Sequence, residues 1–177
     1  MAKLNENFFF KNARVVAKSL LGKIICRRTS KKILRAKIIE TEAYFDENDP
    51  ASRACKNGDL KETMKMKGGT ILVYGVHNNW LINFVTGMEH KAEAVLIRAL
   101  EPLNFKGRCN GPGLLTKALG ITKEFHKKDV CCCDEIWVEN SKERSFEIAR
   151  SKRIGVAKDL NEPLRFFIKN SPFISRK

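Results

Sequence analysis

The sequence lacks several features that would place it in common protein classes. No apolar run approaches the roughly 20 residues that a membrane span needs, and residues 1–7 lack the apolar stretch of a secretory signal. No low-complexity tract or internal repeat suggests disorder or a solenoid. With 177 residues and 43% hydrophobic content, the chain is predicted to form one globular domain, 1–177, in the cytoplasm.

The six cysteines include no CxxC pair, and Cys131, Cys132 and Cys133 are adjacent. Three adjacent cysteines cannot easily all turn toward one metal ion, and without a secretory signal a disulfide framework is not expected. We therefore expect structural or incidental roles for the cysteines and no bound metal. A reactive-thiol or metal protein is the alternative.

Acidic residues are scarce relative to basic ones. The 34 lysines and arginines outnumber the 20 aspartates and glutamates, which gives a net charge of +14 spread along the whole chain. Such a charge favours a polyanionic partner, since a nucleic-acid backbone would be bound through counterion release. A general solubility device is the alternative explanation.

The pattern of apolar residues predicts an α+β fold. A helix is expected at 11–21, and a second one after the Asn110-Gly111-Pro112-Gly113 turn, ending at Gly120. The segment 46–69 reads as a long functional loop with a short helical piece. Close connections between strands favour a curved, mostly antiparallel sheet, with strands at 23–28, 33–45, 70–76, 80–86, 92–101, 135–139 and 164–169.

Alternation along 38–44 places Glu40, Glu42 and Tyr44 on one face of a strand, while Ile39, Thr41 and Ala43 lie on the face that can pack into a core. The first face is too polar for a dry core, and a solvated sheet face is the alternative. On the neighbouring strands Leu72 shares a face with Tyr74, Leu81 and Val85 with Asn83, and Leu96 with Arg98.

Together these side chains are typical of a catalytic pocket. Taken singly, each has a simpler explanation: Tyr74 as a core aromatic, Asn83 as a hydrogen bonder in the sheet, and Arg98 as an ion-pair partner of Glu40 or Glu101.

Several sequence blocks, in this order, resemble the alkyladenine (3-methyladenine) DNA glycosylase family. They are Glu-Thr-Glu-Ala-Tyr at 40–44, Asp-Pro-Ala-Ser at 49–52, Leu-Ile-Arg-Ala-Leu-Glu-Pro at 96–102, Asn-Gly-Pro-Gly at 110–113, Ala-Leu-Gly-Ile at 118–121, Arg-Ile-Gly-Val at 153–156 and Pro-Leu-Arg-Phe at 163–166. The segment 170–175 is similar too. The resemblance runs from about Phe8 to the end of the sequence.

The resemblance implies a monofunctional hydrolase of base-excision repair that flips damaged purines out of double-stranded DNA and leaves an abasic site. Its expected substrates are 3-methyladenine, 7-methylguanine, hypoxanthine and ethenoadenine. Glu42 matches the general base that activates water, Arg98 the residue that orients this water, Tyr44 and Tyr74 the aromatics that sandwich the base, and Asn83 the side chain that crowds the amino group of guanine. No cofactor is implied. We expect a monomer associated with the nucleoid.

The resemblance also implies a protruding β-hairpin that enters DNA, with His77 as the residue that fills the gap left by the flipped nucleotide. A solvent-facing turn residue is the alternative for His77. Lysines of the long loop are candidates for phosphate contacts, although such a loop can simply be solvated: Lys56, Lys61, Lys65 and Lys67.

Three positions depart from the family pattern. Arg53 replaces a histidine that helps to recognise the base, Leu72 replaces a further tyrosine of the pocket, and the 60–65 run is altered. Because arginine is always charged and only donates hydrogen bonds, we hypothesise that Arg53 disfavours cationic 3-methyladenine and favours neutral hypoxanthine. A noncatalytic module that binds damaged DNA on the same fold is the alternative function.

Overall fold

Within residues 2–141 and 145–176, which the computed structural model describes, eight strands form one curved antiparallel sheet. The sheet order is β3-β4-β5-β2-β1-β6, and β8 pairs with both β2 and β7. The strands are β1 Ile24–Arg28, β2 Ile33–Tyr44, β3 Ile71–Val76, β4 Asn79–Val85, β5 Ala94–Pro102, β6 Ile136–Glu139, β7 Ile148–Ser151 and β8 Arg165–Ile168.

Helices lie beside this sheet in the described part of the chain: α1 Glu6–Phe9, α2 Ala13–Leu20, α3 Asp59–Met64 and α4 Pro112–Leu119, with 3₁₀ turns at Arg53–Cys55 and Lys123–Phe125. The predicted α+β class and antiparallel sheet are confirmed. All seven predicted strands are present within two residues of their expected ends, whereas β7 and α1 were not predicted. No helix of the described residues is long and apolar enough to cross a membrane.

The long strand β2 organises the sheet because both of its edges are paired. β5 pairs with β2 along one edge, and the other edge of β2 pairs first with β1 and then with β8. Thr41 and Ala43 face the main core, where the Thr41 hydroxyl donates a hydrogen bond of 2.9 Å to the carbonyl of Ala17 in α2. The opposite face carries Glu40 and Glu42, and both are fully buried. The solvated-face alternative is therefore wrong.

Helix α2 covers the core face of the sheet and begins at Ala13, two residues after its predicted start. The Asn12 side chain caps it by accepting a hydrogen bond of 3.0 Å from the Val15 N–H, which satisfies one of the unpaired donors of the first turn. The apolar stripe of Ala13, Val16, Ala17 and Leu20 is completely buried. Burial of this stripe fixes α2 against β2 and β5.

The segment 46–69 covers the other face of the sheet. Met64 of α3 and Ala54 of the 3₁₀ turn form a second apolar cluster with Leu72 of β3, against which Tyr44 and Tyr74 also pack. The predicted long loop is thus built onto the same face that carries Glu42. This packing places Arg53, at the start of the 3₁₀ turn, next to the polar face of the sheet.

The β3–β4 hairpin ends in a tight turn whose two residues, His77 and Asn78, both have positive φ angles, of 45° and 60°. Such angles define the turn geometry that matches the twist of two-residue hairpins. Next to this turn the hairpin packs against α4: a Cβ added at Gly113 would lie 2.7 Å from the Cβ of Asn79. Only glycine permits this contact.

Candidate active site

Two compensating irregularities in the pairing of β2 with β5 shape the polar face. The register shifts between Ile38 and Glu40 and again between Glu40 and Thr41, which leaves Ile39 and Arg98 as the extra residues of their strands. Bulges reorient side chains that a regular pleat would hold apart. Here Arg98 contacts both buried carboxylates of β2.

Glu42 accepts hydrogen bonds from three directions. Its Oε1 accepts from the N–H of Ile154 at 2.7 Å, and its Oε2 accepts from the Tyr44 hydroxyl at 2.8 Å and from Arg98 Nη1 at 3.1 Å. Burial raises the pKa of Glu42, although Arg98, the Ile154 N–H and the Tyr44 hydroxyl all oppose this rise. The result is a well-oriented carboxylate that binds a proton more readily than an exposed one.

Arg98 bridges the two carboxylates, because its Nε donates to Glu40 Oε1 at 3.2 Å. The pairing with Glu40 considered from the sequence is therefore present, together with the contact to Glu42. Glu101, the other partner considered, pairs with Lys37 at 2.8 Å. Arg98 Nη1 also donates to the Ile154 carbonyl at 3.3 Å.

A cleft of about 390 Å³ opens in front of this network. Arg98, Tyr44 and Ile154, which all contact Glu42, form part of its wall. The lining residues are Tyr44, Pro50, Ala51, Arg53, Tyr74, Val76, Leu81, Leu96, Arg98, Ile154, Gly155, Val156, Ala157 and Lys158. Aromatic side chains with a few convergent polar groups are typical of small-molecule sites.

Each tyrosine of the cleft is accompanied by an arginine. The Arg53 guanidinium lies 4.7 Å from the centre of the Tyr74 ring, and that of Arg153 lies 4.5 Å from the Tyr44 ring. Burial and the nearby charge of Glu42 raise the pKa of Tyr44 well above its usual value. Burial also raises the pKa of Tyr74, although Arg53 opposes the rise. Both hydroxyls are therefore protonated at neutral pH.

The structure brings together Glu42, Arg98, Tyr44, Arg53 and Tyr74 of the predicted site, whereas three other predicted residues do not line the cleft. Leu72 and Asn83 pair across β3 and β4, where the Asn83 side chain donates to the Leu72 carbonyl at 3.1 Å. Both are buried beside the cleft and are not among its lining residues. His77 is exposed at the hairpin tip.

Most of the loop lysines contact acidic side chains. Lys61 lies 3.9 Å from Glu47, Lys65 lies 3.2 Å from Glu62, and Lys67 lies 2.7 Å from Asp129. Lys56 is exposed. A phosphate contact by the first three would compete with an existing ion pair, which weakens the expectation for them more than for Lys56.

The sequence did not predict the ion pair between Arg153 and Asp49, which lies beside the cleft residues Tyr44 and Ile154. Arg153 donates to both carboxylate oxygens of Asp49 at 2.6 Å and to Asp159 at 2.6 Å, and it also donates to the carbonyl of Ala43 at 3.0 Å. Burial raises the pKa of Asp49, but the hydrogen bonds from Arg153, Phe45 and Ala51 outweigh this effect and lower it. Both residues lie in blocks that carried the resemblance, yet only the fold shows that they meet.

Within the described ranges, no cluster of three or more histidine, cysteine, aspartate or glutamate side chains is arranged to hold a metal ion. The six cysteines are unpaired. Burial raises the pKa of Cys131 to about 12, and Asp129 adds to the rise, so this thiol is a poor nucleophile at neutral pH.

The fold and the site define a protein with a buried carboxylate behind an aromatic cleft on a basic surface, and the comparisons with known proteins specify its family. The sequence profile of the methylpurine-DNA glycosylase family matches residues 7–172. A relative from Aeropyrum pernix is 38% identical over 180 residues, covering 98% of this chain and 93% of that protein. Relatives from Clostridium tetani and Legionella pneumophila strain Corby are 36% and 38% identical, each covering 99% of this chain and the whole of that protein. All three carry the provisional name 3-methyladenine DNA glycosylase.

The chain therefore belongs to the methylpurine-DNA glycosylase family, as the sequence blocks predicted. The family name points to DNA as the substrate and to hydrolysis of N-glycosyl bonds.

Proposed function

We propose that this chain removes damaged purines from double-stranded DNA by hydrolysing the bond between base and sugar. The observation that carries the proposal is the buried Glu42, held by Arg98 Nη1 at 3.1 Å and by the Ile154 N–H at 2.7 Å behind a cleft lined by Tyr44 and Tyr74. Such a carboxylate suits a general base, because burial raises the pKa of Glu42 and so strengthens it as a proton acceptor.

The attacking water would be bound at Glu42 Oε1. A carboxylate offers about four acceptor sites, and among the described residues three donors contact Glu42, two of them at Oε2. Ile154 lies on this side of the carboxylate, since its N–H donates to Oε1 at 2.7 Å, and its carbonyl accepts from Arg98 Nη1 at 3.3 Å. Glu42 would take the proton from this water, and its charge would favour the oxocarbenium-like transition state at the sugar.

Tyr44 and Tyr74 would sandwich the flipped base, since aromatic stacking accepts any purine face. Arg53 sits on the Tyr74 side of the cleft, and its fixed charge favours neutral lesions such as hypoxanthine over cationic 3-methyladenine. The exposed ring of His77 would fill the gap in the duplex, while the net charge of +14 attracts the backbone. Because no lysine stands at the position that matches a nucleophile, the reaction would be a simple hydrolysis without strand cleavage.

Excision assays test this proposal. Duplexes carrying 3-methyladenine, 7-methylguanine, hypoxanthine or ethenoadenine are incubated with the protein, and hot alkali then cleaves any abasic sites. The wild type is expected to release at least one of these bases, and Glu42→Gln to lose this activity while still binding DNA. A wild type that binds the damaged duplexes and releases none of these bases would instead be the noncatalytic binding module.

A further inference from the structure

We propose that Glu40 is a positioning residue for the reaction and that Ser175, from the segment 170–176, fixes it in place. The inference rests on the proposed role of Glu42 as the base. Glu40 touches neither the cleft nor, in the proposed mechanism, the substrate. It acts through Arg98, which contacts both carboxylates.

Glu40 is fully buried and is surrounded by donors. Its Oε1 accepts from Arg98 Nε at 3.2 Å, from Arg165 Nε at 2.7 Å and from the Ser175 hydroxyl at 2.7 Å, while its Oε2 accepts from the Ser175 N–H at 2.6 Å. Hydrogen bonds to a charged carboxylate are shorter and stronger than neutral ones. Ser175 therefore reaches both oxygens of one buried carboxylate, which is a specific dock for this segment.

The rigid geometry of the Arg98 side chain couples the fixed position of Glu40 to Glu42. A guanidinium is planar and rigid, so a bond that fixes Nε also fixes the direction of Nη1. In Arg98 the Nε faces Glu40, and Nη1 faces Glu42 Oε2 and the Ile154 carbonyl. Without Glu40, the guanidinium would lose its contact at Nε and would be held only at Nη1, by Glu42 and the Ile154 carbonyl, and at Nη2 by the Ser175 hydroxyl at 3.5 Å, so the direction of Nη1 would be less tightly fixed.

A second arginine ties Ser175 to the sheet. Arg165 of β8 donates from Nε to Glu40, from Nη1 to the Ser151 hydroxyl at 3.1 Å and from Nη2 to the Arg176 carbonyl at 2.6 Å. Two guanidiniums thus balance the carboxylates Glu40 and Glu42 in this buried region. Removal of either carboxylate leaves excess positive charge beside the other.

Because of this charge balance, the pKa of Glu42 reports on Glu40. A purely structural role of Glu40 would leave this pKa unchanged. Glu42 is faced by Arg98 from β5, by Tyr44 from its own strand and by Tyr74 from β3, and in the loop after β7 the Ile154 N–H contacts it. Both phenols are neutral across the working range. In Glu40→Gln the charge of Arg98 acts on Glu42 alone, so the pKa of Glu42 falls and the acid limb of the pH–rate profile moves to lower pH.

Single-turnover excision with saturating enzyme measures the positioning effect. Ser175→Ala removes the hydroxyl that donates to Glu40 Oε1 at 2.7 Å and accepts from Arg98 Nη2 at 3.5 Å, and it keeps the backbone N–H. It should slow excision about three- to tenfold with unchanged duplex affinity. Ser175→Thr should restore the rate. Ser171→Ala is the matched control, because its hydroxyl contacts the Phe173 N–H in the same segment and not Glu40.

The outcomes separate this inference from the proposed function. Full activity in Glu42→Gln would contradict the proposed base, whereas loss in Glu42→Gln with wild-type rates in Ser175→Ala and Glu40→Gln would contradict only the positioning role. A ¹³C NMR titration of the Glu42 carboxyl decides the inference without any turnover. If the pKa of Glu42 is the same in Glu40→Gln and in the wild type, the inference is wrong. If Glu40→Gln does not fold, the excision rate of Ser175→Ala decides the question.

Discussion

The guanidinium of Arg53 lies 4.7 Å from the centre of the Tyr74 ring, within the wall of the cleft. An arginine over a tyrosine face is a stable arrangement, because the negative face of the ring attracts the cation. It also keeps a permanent positive charge where the proposed sandwich would receive a base. The choice of lesion is therefore expected to depend on this pair.

Replacing Arg53 by histidine should raise excision of 3-methyladenine relative to hypoxanthine by about tenfold, which corresponds to ~1.4 kcal/mol. The physical reason is the loss of a fixed charge that repels the cationic lesion. Arg53→Lys retains the charge and should keep the wild-type ratio, and Lys56→Ala controls for general loss of positive charge in the same loop. A ratio that stays constant in Arg53→His would refute the role of Arg53 in lesion choice.

Glu42 should make the folded protein less stable as pH rises. Its pKa is raised in the folded state, so its contribution to stability is complete below the unfolded value of about 4.3 and is lost as pH rises through the folded pKa. The stability of Glu42→Gln relative to wild type should therefore increase with pH and then level off. Urea unfolding of both proteins from pH 4 to pH 8 measures this difference.

The trend with pH is the decisive quantity in that comparison. The amide of a glutamine at position 42 would face donors of Arg98 and Ile154, which adds a cost that does not depend on pH. Glu89→Gln, at an exposed position, provides the control and should show no such trend. A stability difference that is flat between pH 4 and pH 8 would show that ionised Glu42 costs nothing in the fold.

Arg153→Ala should destabilise the protein by about 3–5 kcal/mol, because it leaves buried Asp49 without its bidentate partner. The exposed Arg150 of β7 is a matched control, and Arg150→Ala should change the free energy of unfolding by less than about 0.5 kcal/mol. Chemical denaturation of the three proteins makes the comparison. Equal stabilities of the two variants would show that the Asp49 ion pair is dispensable.

The sequence predicted the sheet because its strands are strongly patterned and its turns are marked by glycine, asparagine and lysine. Periodicity also placed Glu40, Glu42 and Tyr44 on one face, and the structure confirms this. It could not predict the two register shifts beside Arg98, since a bulge depends on the pairing of two distant strands. The short strand β7 was not predicted because its residues alternate between exposed and half-buried positions and show no apolar pattern.

The parts of the candidate site that pattern reasoning missed are contacts over long distances in sequence. Ile154 contributes a backbone N–H, which carries no side-chain signal, and Ser175 reaches Glu40 across 135 residues. Arg153 and Asp49 each stood in a recognisable block. Their ion pair is visible only in the three-dimensional structure, because a single sequence does not show which distant segments contact each other.

His77 combines a positive φ angle with an exposed side chain at the hairpin tip. A non-glycine residue in this region costs about 1 kcal/mol, and glycine would form the same turn more cheaply, which supports a role for the ring itself. His77→Ala should slow excision from duplex DNA about tenfold, while excision of the same lesion from single-stranded DNA should not change, because no gap needs filling there. His77→Phe has the same backbone strain as His77→Ala but keeps a flat ring, so it should retain the duplex activity. Equal duplex rates for the alanine and phenylalanine variants would show that the ring does not enter the stack.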